Sequence, residues 1–468
     1  MSTPRLSALA LAALLAGCAS MAPEHERPVA PVAERFPGAA EPAPGAAVAA
    51  ELPWSDFFRD ARLKGLIELA LRNNRDLRVA VLNIEAARAQ AQARSADLWP
   101  TVNAGITGSR QPNSSGGITS LYSAGVQITA YEADLFGRVR SLNDAAAAQF
   151  LATEEARKAV QIGLIGSIAN AHLALQADDE LLRLTAQTLA SRQDTERLTR
   201  LRFDNGATSE IDLRQAESLL QAARVAQAQL TRQRAQDENA LVLLVGQPLP
   251  VELPAGLPIT ADPGLPALPA GLPSEVLTRR PDVRQAERQL LATEASIGAA
   301  RAAFFPKLTL TASTGIASSS LSELFKGGNF AWSLAPQLLA PIFDAGRNRA
   351  SLKLAEVNRD IAVAQYERAV QSAFREVADA LAGRATLVDQ LAAQTAQVQA
   401  DQRRAELAEL RYRNGAASFL EVLDAQRSLY ASQQAQVQAQ ALVAQNLVTL
   451  YRVLGGGWTA EAEPQAAR

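Results

Sequence analysis

One cysteine, two histidines and two methionines are all that 468 residues contain of these types. A single cysteine and the two histidines, His25 and His172, cannot assemble a Cys/His metal cluster and leave little for imidazole acid–base chemistry. Aromatic residues make up only 5%. A basic surplus is missing as well: 46 Lys and Arg face 48 Asp and Glu, a net charge of −2, which gives no footprint for nucleic acid. No phosphate-cradling glycine loop and no GxSxG nucleophile motif occur, so neither enzyme nor cofactor is expected. What is abundant is Ala, Gln, Glu, Leu and Arg in long stretches, the composition of extended helices.

The N terminus carries an address. Residues 1–17 read as a signal peptide, with Arg5 followed by an apolar run from Leu6 to Ala16 that is too short to cross a bilayer. Leu15-Ala16-Gly17-Cys18 resembles a bacterial lipoprotein box, which implies cleavage before Cys18 and acylation of that residue. The alternative is an ordinary signal with an incidental cysteine. Ala19, rather than Asp, follows the cysteine and points to sorting to the outer membrane. Residues 18–60 then form a lipid-anchored, largely extended segment rich in Pro and Ala. Beyond the signal, the best membrane-helix candidate, Ala159 to Ala177, contains Gln161, Asn170, His172 and Gln176. His172 therefore reads as an ordinary helix residue.

The mature chain repeats itself. LRYRNGAASFLEVLDAQRSL, Leu410 to Leu429, reads as the end of one long helix, a tight turn at Asn414-Gly415, and a new helix capped by Ser418 with Glu421 completing a capping box. LRFDNGATSEIDLRQA, from Leu201, carries the same signals at a shift of 209, with Asn205, Gly206, Ser209 and Asp212 in equivalent places. Two structural repeats are expected, at 61–246 and 274–457, with tips near 205–209 and 414–418. A Pro-rich linker joins them at 247–273 and a loose tail follows at 458–468. Proline-free runs at 138–204 and 347–413 predict helices about 100 Å long.

Each repeat also holds a segment of period two, at 101–131 and 307–338, introduced by Leu98-Trp99-Pro100 and by Phe304-Phe305-Pro306. Polar loops at RQPNSSGGITS and ASSSLSELFKGG split each segment into two strands of about ten residues, the length of a tilted membrane strand. Pro336 is expected to interrupt the last of them. Taken alone, each hairpin also fits a solvent-exposed pair with one buried face. Tyr122, Tyr131, Phe330 and Trp332 suit interfacial girdles. Four amphipathic strands cannot close a barrel, and an open edge cannot face lipid, so several chains must share one. Eight strands leave an interior filled by side chains, so a conducting barrel needs at least three chains.

The lipobox, YEADLFGRVR, PIFDAGRNRA and the paired tips RFDNGATSEIDL and RYRNGAASFLEVLDAQRSL together resemble TolC-type outer-membrane efflux proteins, in their OprM-like (NodT-type) lipoprotein branch. The likeness runs from about residue 52 to Trp458. It implies a mainly α fold with a pair of β-hairpins, in which long antiparallel helical hairpins form a periplasmic α-barrel. It also implies that four strands per chain enter a twelve-stranded β-barrel shared by a homotrimer in the outer membrane of a Gram-negative bacterium. The function implied is the exit duct of a tripartite efflux system, which conducts small molecules such as drugs passively once opened. The implied partners are a periplasmic adaptor, an inner-membrane transporter of the RND type and outer-membrane lipid. In that branch a leucine, an aspartate and an arginine narrow the aperture, and the matching residues here are Leu420, Asp424 and Arg427. Spacings of four and three put them on one helical face, and the first repeat offers Ile211, Gln215 and Ser218 instead. An exposed ion pair without a gating role is the alternative for these charges. The adaptor is expected at Asn205, Gly206, Ser209, Asn414, Gly415 and Ser418, which helix capping also explains. The rival assignment is a periplasmic adaptor or another coiled-coil lipoprotein.

Overall fold

The computed structural model describes residues 20–37, 52–260 and 274–458, so the signal peptide, Cys18 and most of the tail lie outside the described residues. In chain order the elements are α1 (Trp54–Phe57), α2 (Ala61–Asn73), α3 (Arg75–Ala96), β1 (Val102–Pro112), β2 (Ile118–Ala133), α4 (Arg138–Asp204) and α5 (Glu210–Val245). They continue with α6 (Pro281–Ala302), β3 (Lys307–Ser318), β4 (Phe330–Leu339), α7 (Arg347–Arg413) and α8 (Phe419–Val453). Trp99-Pro100 and Phe305-Pro306 stop α3 and α6 where proline denies a further turn. Among the described residues no helix is long and apolar enough to cross a membrane. The chain divides into two compact units, one containing residues 82–155 and 284–369 with the N-terminal segment up to Ala30, the other containing the rest.

The first unit is built on a four-stranded antiparallel sheet in the order β1-β2-β3-β4. Ala104 pairs with Val126, Val126 with Thr314 and Thr314 with Trp332, so these four share a face. Alternation adds Val102, Ile106, Ile128, Ile316, Phe330 and Leu334 to it. The opposite face carries Asn103, Thr107, Ser123, Gln127, Ser313 and Ser333, with hydroxyl pairs Thr107–Ser123 at 2.7 Å and Ser313–Ser333 at 2.8 Å. On that face Gly125 lies opposite Gly315, and a Cβ on either would collide with the neighbouring strand's backbone, so only glycine allows this approach.

The strands outrun their sequence signals. β1 continues to Pro112 and β2 resumes at Ile118, because Asn113 closes a five-residue turn through its side chain, accepting from the Gly117 amide at 2.8 Å. The polar loop expected over 110–120 is thus mostly strand. Nor does Pro336 break β4, which runs through it opposite Leu310, since an edge strand tolerates a missing N–H. Tyr122, Phe330 and Trp332 sit on the apolar face, whereas Tyr131 at the other end donates its hydroxyl to the Leu98 carbonyl at 3.0 Å.

Below the strands, Asp134 and Asp344 each accept backbone amides of the following helix, from Arg140 and from Asn348, at 2.8 and 2.9 Å. Residues 20–30 run along α6. Arg27 reaches Glu287 at 2.7 Å, His25 reaches Glu294 at 2.8 Å, and Arg301 donates to the Met21 carbonyl at 3.1 Å. These α6 positions recur every seven residues and line one face, while Gly298 on it leaves room for the Ala22 backbone.

In the second unit, Phe57 stacks on Tyr451 at 3.9 Å between centroids, and the Tyr451 hydroxyl donates to the Leu52 carbonyl at 2.6 Å. Ile165, Ile168 and Leu173 of α4 and Ala444, Val448 and Leu450 of α8 are among its buried apolar residues. Asp60 caps α2 by accepting from the Arg62 and Leu63 amides at 2.7 and 3.1 Å. Its other oxygen meets His172 at 3.0 Å, Gln176 at 3.2 Å and the Leu257 amide at 3.1 Å. His172 is therefore a buried link between α4 and α2, more than an ordinary helix residue.

Burial alone would raise the Asp60 pKa, but the bonds from His172 and the amides of Leu257 and Leu63 outweigh it and bring it from 3.8 to about 2. A depressed carboxylate stabilises the fold above its unfolded pKa, and that contribution, about 2 kcal/mol here, is lost as pH falls through about 2. Asp60→Ala should therefore cost about 2–4 kcal/mol at pH 7, cap included. The difference from wild type should shrink towards pH 2 in thermal unfolding followed by circular dichroism; a pH-independent difference would contradict this role.

Candidate aperture at the helix-hairpin tips

Both hairpins turn the same way. Gly206 and Gly415 stand at φ of 72° and 71°, a left-handed conformation that glycine adopts without strain. The Ala207 amide donates to the Arg202 carbonyl at 2.7 Å and Gly206 to Phe203 at 2.9 Å; Ala416 to Arg411 and Gly415 to Tyr412 repeat this at 2.8 and 3.0 Å. These are Schellman turns. Asn205 and Asn414 add a side-chain bond to the carbonyls of Leu201 and Leu410, at 2.7 and 2.8 Å. Both Asn-Gly pairs thus act as C-terminal caps, the glycine by its backbone and the asparagine by its amide.

The N-terminal caps differ. Ser209 and Asp212 form a full capping box, in which the Asp212 amide donates to Ser209 Oγ at 3.2 Å and the Asp212 carboxylate accepts from the Ser209 amide at 3.4 Å. The box expected at Ser418 is only half made. Ser418 Oγ accepts from the Glu421 amide at 3.4 Å, but the Glu421 carboxylate turns to Arg411 on α7, at 2.6 Å. An arginine one hairpin width away offers a charge-assisted bond, and the Ser418 amide cannot compete.

Leu420, Asp424 and Arg427 occupy one face of α8, as the spacing required. Leu420 is 58% exposed. The opposite face packs Val422 and Ala425 against Ala405, Ala408 and Tyr412 of α7. Arg427 donates to Asp424 Oδ1 at 2.5 Å, and Arg404 of α7 to Asp424 Oδ2 at 2.6 Å. The Arg404 bond, followed by the charges of Arg427 and Arg404, holds the Asp424 carboxyl below the usual carboxylate range.

In the first hairpin Ile211 is 70% exposed, while the Gln215 amide oxygen is buried and has no hydrogen-bond partner among the described residues. Tyrosines of the second hairpin reach the first at two levels. Near the tip Arg202 donates to the Tyr412 hydroxyl at 2.5 Å, its guanidinium 5.6 Å from the ring centre. Deeper in, Tyr430 shares a 2.7 Å hydroxyl bond with Thr185 and receives the guanidinium of buried Arg192 on its ring.

Arg404 and Arg411 were not legible as tip residues from the repeat alone, because each finds its acid on another helix. A usable signal exists. Arg404 lies ten residues before Asn414 and Asp424 ten after it, so folding the sequence at the turn brings the two opposite charges level.

A sheet with one apolar and one polar face, open at both edges among the described residues and joined to long helical hairpins, is the arrangement of a channel-forming outer-membrane protein. The chain belongs to the outer membrane efflux protein family, whose model matches residues 66–247 and 272–456. It is 46% identical to the toluene efflux pump outer membrane protein TtgC of Pseudomonas putida, over 99% of each chain. It is equally 46% identical to the antibiotic efflux pump outer membrane protein ArpC of the same species, again over 99% of each. Among solved structures it resembles the open state of the MtrE outer membrane channel of Neisseria gonorrhoeae, with 40% identity and a TM-score of 0.87 over 95% of this chain and 100% of that one. It is thus an efflux channel of the Gram-negative outer membrane, which sets aside the adaptor assignment.

Proposed function

We propose that the chain works as a homotrimeric exit duct in a tripartite efflux system, conducting small, largely apolar organic molecules passively from the periplasm to the exterior. The observation that carries this is the sheet: four strands, unpaired at β1 and β4, with Val102, Ile106, Trp332 and Leu334 on one face and a Ser/Thr/Gln face behind. Such a sheet is stable in lipid only when its edges meet those of other copies, and twelve strands enclose a polar lumen. Relatives named for toluene and antibiotic efflux support organic cargo. The partners are a periplasmic adaptor and an inner-membrane transporter of the RND type. The adaptor meets the tips at Asn205, Gly206, Ser209, Asn414, Gly415 and Ser418, all of which also serve the turns and helix caps. Two structural repeats, 61–246 and 274–457, each contribute one strand pair and one tip.

The second tip narrows the aperture through Leu420, Asp424 and Arg427. An exposed carboxylate shared by two arginines makes bonds of modest strength, which adaptor binding can displace. Asp424→Ala combined with Arg427→Ala should raise single-channel conductance in planar bilayers severalfold over wild type, and closure unchanged from wild type would sink the aperture assignment. Cys18 carries the lipid anchor. Mass spectrometry of the N-terminal peptide should find that cysteine acylated and first in the chain, whereas a free thiol there would refute it.

A further inference from the structure

Asp424 and Arg427 are three residues apart on α8, so their 2.5 Å pair travels with that helix and cannot hold one helix against another. A contact that fixes the aperture carboxylate within its hairpin must cross to α7. Arg404 does so: one guanidinium nitrogen meets Asp424 Oδ2 at 2.6 Å, and the other lies 3.4 Å from the Ser428 hydroxyl one turn further on. We propose that Arg404 is a positioning residue of the aperture, tying Asp424 to α7 so that the constricting face of α8 keeps its place on the second hairpin. This rests on the assignment of Leu420, Asp424 and Arg427 to the aperture.

Three further observations bear on it. The apolar contact between the helices at this level sets Ala405, Ala408 and Tyr412 of α7 against Val422 and Ala425 of α8, and apolar packing is non-directional, so it leaves the register of α8 to be fixed by other contacts. A directional bond across the seam supplies that register. Second, each Asp424 oxygen is taken by a different guanidinium, so Arg404, Arg427 and Asp424 together leave one positive charge. The cluster that the two helices share is therefore cationic on balance, and the carboxylate is a bridge between two arginines. Third, the first hairpin has Thr195, Gln215 and Ser218 at the positions equivalent to Arg404, Asp424 and Arg427. It joins its own helices by a different pair, Arg200 to Glu217 at 2.7 Å, with Glu217 standing where Gln426 does. Both hairpins are thus crossed at this level, and what sets the second apart is that its crossing arginine lands on an aperture residue. Nearer the turn, Arg411 to Glu421 at 2.6 Å makes a second crossing.

The test is single-channel recording of the full-length protein carrying Arg404→Ala, Arg404→Lys, Asp424→Ala, and Arg404→Ala with Asp424→Ala, beside the Asp424→Ala/Arg427→Ala reference. Arg404→Ala should raise the open fraction about two- to fivefold, the range of one exposed ion pair. The double variant should open no further than Asp424→Ala alone, since both changes remove one bond. Lysine keeps the charge but not the second prong to Ser428, and should restore closure in part. If Arg404→Ala stays as closed as wild type while the reference variant opens, the inference is overturned and the aperture assignment stands. Additive effects of Arg404→Ala and Asp424→Ala, or no rescue by lysine, would likewise overturn it. Closure in the reference variant removes the aperture assignment, and the inference with it.

Discussion

A β-strand edge in hydrocarbon leaves a row of amides and carbonyls without partners, each costing several kcal/mol, and no local rearrangement of the chain can supply them. Here β1 and β4 both present such an edge. The sheet between them is otherwise ready for lipid: Val102, Ile106, Trp332 and Leu334 share the face that lipid would cover, and hydroxyl pairs line the other. Association with further copies is the resolution available to such a sheet. The paired glycines Gly125 and Gly315 belong to the same constraint, because they let β2 and β3 approach closely at the one junction where the two strand pairs meet.

The two helical tips show how one turn can serve two ends. Backbone geometry and the asparagine cap agree to within a few tenths of an ångström, since both answer the same problem of unsatisfied carbonyls at a helix end. The charges do not agree. Asp212 stays at home in its capping box, whereas Glu421 leaves Ser418 for Arg411, and Asp424 is held between Arg404 and Arg427. The first tip uses the acid of its capping box to end a helix and crosses its hairpin through Glu217 and Arg200. The second turns both Glu421 and Asp424 to arginines of its outgoing helix.

Much of this was legible in the residues. The limits of α4 and α7 follow from Gly-Arg at one end and Asn-Gly at the other, with no proline between. The alternation of Val102, Ala104 and Ile106 named the apolar face before any register was known. Signals local to one element succeed because the physics is local. Long-range contacts left no such trace. His172 looked unremarkable on its helix, yet it meets Asp60, 112 residues away, in a buried cap. Arg404 and Arg411 meet their acids only across the turn, so no spacing within α7 marks them. The strands run further than their sequence signals where Asn113 tightens a turn, and β4 is not interrupted at Pro336, opposite Leu310.

The most direct test of the central claim is native mass spectrometry of the full-length protein released from detergent micelles. Three chains per particle, reverting to single chains on heating together with loss of β-structure, is the result that follows from two open edges and a polar lumen. A folded single chain or a pair, stable in the same detergent and inserting into bilayers unaided, would contradict it.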